Sequence, residues 1–181
     1  EAAWSAATPI TDFRQYEPTE GAPASLPSEV RVLYDDRALY IGARMTQPDG
    51  IVAPLARRDQ LVDANGNNGS FNSLTTDKLV VSLDPYHNHF DNVLFEVNPA
   101  GVRGDQFNGD PSWDPIWEAA ADSDGEGWTA EMRIPLSQLR ENSLRVLVRN
   151  ASAKSPTATP NINHWMLKSP PSIWRTAKAV S

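Results

Sequence analysis

The stretch WEAAADSDGEGWTAEMRI, residues 117 to 134, carries two short apolar alternations on either side of a polar link. Trp117, Ala119 and Ala121 precede the link at residues 122 to 127, and Trp128, Ala130, Met132 and Ile134 follow it. A repeat of two is the side-chain period of a strand, and an Asp- and Gly-bearing link is turn chemistry. The stretch therefore predicts an antiparallel hairpin with one buried face. Both rings lie on that face, so Trp117 and Trp128 are expected in the core.

The same grammar repeats outward. Val30, Val32 and Tyr34 alternate, residues 35 to 37 turn, and Leu39, Ile41, Ala43 and Met45 return as a second hairpin. Farther along, Leu79, Val81 and Leu83 form one alternating set and Val93, Phe95 and Val97 another, after which Pro99-Ala100-Gly101 turns the chain back toward Val102. Helical periodicity is nearly absent, and short helical turns are expected near Trp4 and over residues 136 to 140. Strands spaced this way describe an all-β fold, an antiparallel β-sandwich.

A chain of 181 residues, 40% of them apolar, suits one domain with a sizeable core. We place the sandwich at residues 1–150 and treat the Pro-rich segment 151–181 as completing or flanking it. The net charge of −7 argues against nucleic acid as a partner, because a phosphate backbone requires clustered Lys and Arg and the sequence carries no such cluster. Apolar runs stop at a handful of residues, and no insertion of this domain into a membrane is expected. Cysteine is absent, which removes disulfide and thiol chemistry without deciding the compartment.

Five ordered blocks make the pattern specific: EVRVLYDDRALYIGARM (29–45), LVVSLDPYHN (79–88), FEVNPAGV (95–102), SWDPIWEAA (112–120) and GWTAEMRIPLSQLR (127–140). Together they resemble the domain related to carbohydrate-binding module family 9, in the DOMON-like superfamily. The version they most resemble stands at the N-terminus of bacterial outer-membrane-type proteins. The resemblance covers about Glu1 to Arg140 and follows the later residues only loosely. It implies a DOMON-like, jelly-roll-like sandwich in which two aromatic rings clamp a terminal sugar, planar polar side chains bond its hydroxyls, and calcium props the loops. It also implies an exported protein, periplasmic, cell-surface or secreted; no charged-then-apolar leader opens the sequence, so if it is exported the leader has already been removed. Its partner would be a glycan or small saccharide, and it would be tethered to an outer-membrane or catalytic domain.

Carried over residue by residue, the resemblance points to Glu96 and Asn98 as hydroxyl-bonding groups. It makes Trp165 a stacking platform with Asn161 and Asn163 beside it, and Trp113 a second platform. A pyranose presents a flat apolar face of C–H groups, which suits a flat ring, while its hydroxyls suit amides and carboxylates at the rim. Each residue also has a plainer reading. Asn98 is well placed to cap the turn at residues 99 to 101, and Trp113, in the loop NGDPSWDP, is well placed to plug the end of the sandwich. A haem-binding cousin of the superfamily would use Met or His axially, but Met45 and Met132 lie on apolar strand faces and read as core.

Metal and catalytic patterns are weaker. Calcium is the ion expected, if one binds, at carboxylates and carbonyls around Asp77, Asp84 or Asp91. DANGNNGS, residues 63 to 70, alternates oxygen ligands like the start of an EF-hand, but Asn68 and Leu74 stand where the turn glycine and closing carboxylate belong. HNHFDN, residues 87 to 92, copies the start of a binuclear zinc motif through His87, His89 and Asp91. Asn92 replaces the next histidine, so zinc is not expected. Glu118 and Glu131 could face each other like a glycosidase pair, though a solvated sheet face beside Arg133 accounts for them. The reading reached is a non-catalytic sugar-binding sandwich. The alternatives are a metal-dependent hydrolase built on His87, His89 and Asp91, and a structural or interaction domain without sugar binding.

Overall fold

The computed structural model describes residues 3–59, 76–86, 90–139, 145–152 and 161–166. Over these residues the chain forms β1 (Arg14–Glu17), β2 (Ser28–Tyr34), β3 (Ala38–Thr46), β4 (Lys78–Asp84), β5 (Val93–Val97), β6 (Arg103–Phe107), β7 (Glu118–Ser123), β8 (Gly127–Pro135), β9 (Arg145–Ser152) and β10 (Asn161–Met166). They make two sheets, ordered β2-β3-β8-β7 and β1-β10-β9-β4-β5-β6. Neighbouring strands are antiparallel throughout. The helical turns near Trp4 and after Pro135 are single 3-10 turns, at Trp4–Ala6 and Leu136–Gln138. No helix among the described residues is long and apolar enough to cross a membrane.

The strand period of two decides what meets between the sheets. Leu39, Ile41, Ala43 and Met45 of β3 and Trp128, Ala130, Met132 and Ile134 of β8 face Leu79, Val81 and Leu83 of β4, Val93, Phe95 and Val97 of β5, and Val148 of β9. Trp117, Trp128, Met45 and Met132 are all buried there, on the faces read from the alternation. The boundary drawn at residue 150 falls inside β9. The later segment supplies β10, which pairs with β9 on one side and β1 on the other.

Aspartates close the two hairpins of the four-stranded sheet. Asp35 Oδ1 accepts the amides of Arg37 and Ala38, each at 2.8 Å, and Asp35 Oδ2 accepts the Tyr40 hydroxyl at 3.0 Å. In the second hairpin Asp124 Oδ1 accepts the amides of Glu126 and Gly127, each at 2.9 Å, and Arg44 of β3 donates to both carboxylate oxygens at 2.7 and 2.9 Å. The Arg44 bonds first, and the turn amides after them, lower the Asp124 carboxyl from its ordinary 3.8 to about 2. A depressed folded-state value means that this contribution to stability is present above pH 3.8 and is lost as pH falls toward 2. An NMR titration of the Asp124 carboxyl carbon should give a midpoint near 2, rising in Arg44→Gln. An unmoved midpoint in that variant would remove Arg44 as the cause.

Candidate functional site

Glu96 and Asn98 sit at the end of β5 on the side away from the sheet–sheet core, as the alternation predicts, but that side is not open to solvent. Asn98 is wholly buried. Its Oδ1 accepts the amides of Ala100 and Val102 at 3.0 and 2.9 Å, and its Nδ2 donates to the Pro54 carbonyl at 2.9 Å and to Thr76 Oγ1 at 3.3 Å. With two acceptor and two donor bonds made, the amide is spent on the turn and on the segment before β4. Of its two readings, the geometry supports the cap. Glu96 is also buried and accepts from Lys78 Nζ at 3.0 Å, with Lys78 itself 1% exposed. Its carboxylate lies on Gly104 of β6, where a Cβ would stand 2.6 Å from Glu96 Oε1. Glu96 belongs to an internal ion pair, which leaves it poorly placed for a sugar hydroxyl.

Trp113 is half-buried against the rim of the core. Its ring meets Phe95 at 5.7 Å and 64° and Phe107 at 6.2 Å and 54°. It plugs that end of the sandwich and at the same time walls a cup of about 160 Å³ lined also by Pro85, Tyr86, Phe107 and Gln138. Tyr86 is exposed, so the cup offers two different rings and an amide at its mouth. The cup is smaller than the roughly 300 to 1,000 Å³ of a drug-sized ligand site, a scale that suits one terminal unit. Tyr86 was missed in sequence because Asp-Pro-Tyr reads simply as the turn after β4. Asn161, Asn163 and Trp165 fall on β10, paired with Ser152, Asn150 and Val148 of β9. Their side chains lie outside the described residues, as do the His87 and His89 positions and the segment 63–70.

Asp77, Asp84 and Asp91 do not come together as one group of three carboxylates. Asp77 and Asp84 flank opposite ends of β4, roughly 23 Å apart at 3.3 Å per residue. Asp77 is buried, and its Oδ2 accepts Gln47 Nε2 and the Val52 amide, both at 2.6 Å. Asp91 accepts Asn108 Nδ2 at 2.7 Å. Among the described residues, the acidic groups that do converge are Asp59, Asp105 and Asp114. Arg58 stands among them. Its Nη2 lies 2.8 Å from Asp105 Oδ2, 2.9 Å from Asp114 Oδ1 and 2.6 Å from the Pro115 carbonyl, and its Nε lies 3.6 Å from Asp59 Oδ2. A calcium cage needs six to eight oxygens turned to one point; here the guanidinium holds two of the three carboxylates. The set is an ion-pair network centred on Arg58 and does not fit a calcium ion.

That network ties the loops together. The Trp117 indole donates to Asp105 Oδ2 at 2.8 Å, and Arg103 donates to the Trp117 carbonyl at 2.6 Å while lying over its ring. Burial raises the Asp105 carboxyl above the ordinary range, opposed by the bonds from Trp117 and Arg58, and Asp105 Oδ1 is buried with no partner. Glu118 and Glu131 are not opposed across their hairpin. Glu118 pairs in register with Arg133, 3.7 Å away, and Glu131 pairs with Ala120.

The whole described framework is similar to solved structures. It superposes at a TM-score of 0.61 and 16% identity on a family 9 carbohydrate-binding module from Caldicellulosiruptor kristjanssonii in complex with cellotriose, over 91% of this chain and 74% of that one. The fold is family 9-like. A family 9 module from the same organism in complex with glucose is similar at 0.61 and 15% identity, over 91% and 76% of the two chains. A candidate carbohydrate-binding protein from Bacteroides uniformis is similar at 0.61 and 15%, over 92% and 81%. No family model and no curated protein matches the chain in sequence. At these identities the likeness of the family 9-like domain to its neighbours is one of architecture.

Proposed function

We propose that this family 9-like domain is a carbohydrate-binding module that holds a glycan without transforming it. The observation that carries the reading is the shared sandwich with modules solved in complex with cellotriose and glucose. The Trp113 cup supports it. A terminal pyranose laid against Trp113 would put its C–H face on the indole, with Tyr86 at the other wall and the Gln138 amide within reach of its hydroxyls. Trp165, with Asn161 and Asn163, is the second proposed platform. Export and tethering to an outer-membrane or catalytic domain belong to the same proposal.

A site for one or two sugar rings buries little area, which supports micromolar to millimolar affinity, about −4 to −8 kcal/mol. Retention would then come from tethering or from several copies, through effective concentration. Calorimetric titration with cellotriose and glucose should give saturable heat. Trp113→Ala, and separately Trp165→Ala, should weaken it by about 1 to 3 kcal/mol, the loss expected for one aromatic anchor, while the circular dichroism spectrum stays that of a β-sandwich. The absence of heat with every saccharide tried would overturn the reading, and so would breakdown of cellotriose seen by chromatography.

A further inference from the structure

The outer face of the four-stranded sheet carries a groove that shares no residue with the Trp113 cup. Register lays Glu29, Arg44, Thr129 and Asp122 in one row across that face and Arg31, Gly42, Glu131 and Ala120 in the next. In the second row a glycine stands between Arg31 and Glu131 and an alanine ends the row beside Glu131, so the face is hollow where side chains would otherwise rise. Trp4 enters this hollow from its 3-10 turn. Three consecutive ring atoms, Cε2, Cζ2 and Cη2, lie 3.0 to 3.1 Å from where a Cβ on Gly42 would be. Near-equal distances to three adjacent atoms mean that the ring is met by its face, so the indole lies flat on the Gly42 backbone.

The ring is also locked in place. Its Nε1 donates to Glu131 Oε1 at 2.9 Å, and Arg31 Nη1 donates to the carbonyls of Trp4 and Ala7 at 3.1 and 2.8 Å, pinning the turn that bears it. One indole face is therefore seated on the sheet and the other turned outward, on a residue that stays partly exposed. The groove beside it has a volume of about 400 Å³ and is walled by Arg44, Ala120, Asp122, Thr129 and Glu131. Its cations are already matched: Arg31 bonds Glu29 at 2.6 Å, and Arg44 bonds both oxygens of Asp124. An anion entering here would meet Asp122 and Glu131 with no unmatched cation to offset them, whereas a neutral polyol finds a flat apolar platform rimmed by donors and acceptors.

We propose that this groove is a second saccharide-binding site, with Trp4 as the stacking platform and Arg44, Asp122 and Thr129 as hydroxyl-bonding rim for a neutral pyranose. It rests on the reading of the domain as a carbohydrate-binding module but assigns it a surface that the Trp113 cup does not use. Gly42 is the enabling residue: a Cβ there would stand 3.0 to 3.1 Å from the ring, closer than ordinary contact, so the ring would have to shift outward by a few tenths of an ångström. A glycine at the centre of an otherwise regular strand is the sequence mark of such a close approach, and it is the signal that could have singled out Trp4.

The test is a titration of the indole N–H resonances with cellotriose, xylotriose and mannotriose, the Trp4 and Trp113 signals being assigned through Trp4→Phe and Trp113→Phe. The Trp4 resonance should shift saturably with at least one of them. Trp4→Ala should lower affinity at this site about tenfold, the loss of one aromatic anchor. Ala120→Arg, at an exposed position on β7 that leaves both the core and Trp4 in place, should abolish the Trp4 shift and spare that of Trp113. A Trp4 resonance that stays still while Trp113 moves overturns the groove and leaves the module reading standing. If no tryptophan resonance moves with any of the sugars, and no heat is seen, both fall.

Discussion

Trp128→Ala is expected to destabilise the domain by roughly 3 to 5 kcal/mol, the cost of emptying a core aromatic site. Trp128 has no exposed surface and lies near the start of β8, paired in register with Met45 of β3 on one side and Ser123 of β7 on the other. Its Nε1 is buried without a hydrogen-bond partner, so the ring contributes through packing alone and leaves no orphaned acceptor behind when it is removed. The loss is then transfer free energy plus the cavity. For a chain of this size it should lower the melting temperature by about 6 to 20 °C. Trp128→Phe, which refills much of the volume, should recover a good part of that. An unchanged melting temperature in Trp128→Ala would show that the ring does not sit between the sheets.

Lys78→Met should cost a similar amount for a different reason. The Lys78–Glu96 pair is buried on both sides, and removing the ammonium leaves a carboxylate out of water without its counter-ion, a loss of about 3 to 5 kcal/mol. Replacing both partners, as in Lys78→Met with Glu96→Leu, should restore most of the stability, because the desolvation of the two charges is then no longer incurred. Urea denaturation of the two singles and the double forms a complete cycle. A Lys78→Met protein within 1 kcal/mol of the parent in that assay, about the worth of an exposed pair, would mean that water reaches Glu96. The carboxylate would then be free to serve as a ligand group after all.

The architecture was legible because one property, the two-residue repeat, acts locally and acts the same way in every strand. Leu39 to Met45, Leu79 to Leu83 and Trp128 to Ile134 each announce a buried face without reference to any other part of the chain, and two faces of that kind must be packed against each other. The turns were legible for a related reason: Asp35 and Asp124 bond amides within three residues of themselves. The site was less so. Alternation places Glu96 and Asn98 on the far side of β5 from the core, but it carries no information on whether that side meets water. Lys78, eighteen residues away, and Pro54, forty-four away, decide the matter.

The same limit separates the two kinds of tryptophan. Trp117 and Trp128 are placed by their strand neighbours, and the sequence by itself determined that they are core. Trp113 and Trp4 have no strand parity to place them, since one sits in a loop and the other in a single helical turn; their positions follow from Phe95 and Phe107 in one case and from Gly42 and Glu131 in the other. Arg58 among Asp59, Asp105 and Asp114 is likewise a tertiary outcome, in which a guanidinium stands among carboxylates drawn from three separate segments. Hydrophobic periodicity is summed along the chain and survives in any one segment. Hydrogen bonds and ion pairs act over about 3 Å between atoms that only folding brings together, so the sandwich was determined by the sequence and the surfaces proposed to hold a ligand were decided by the tertiary structure.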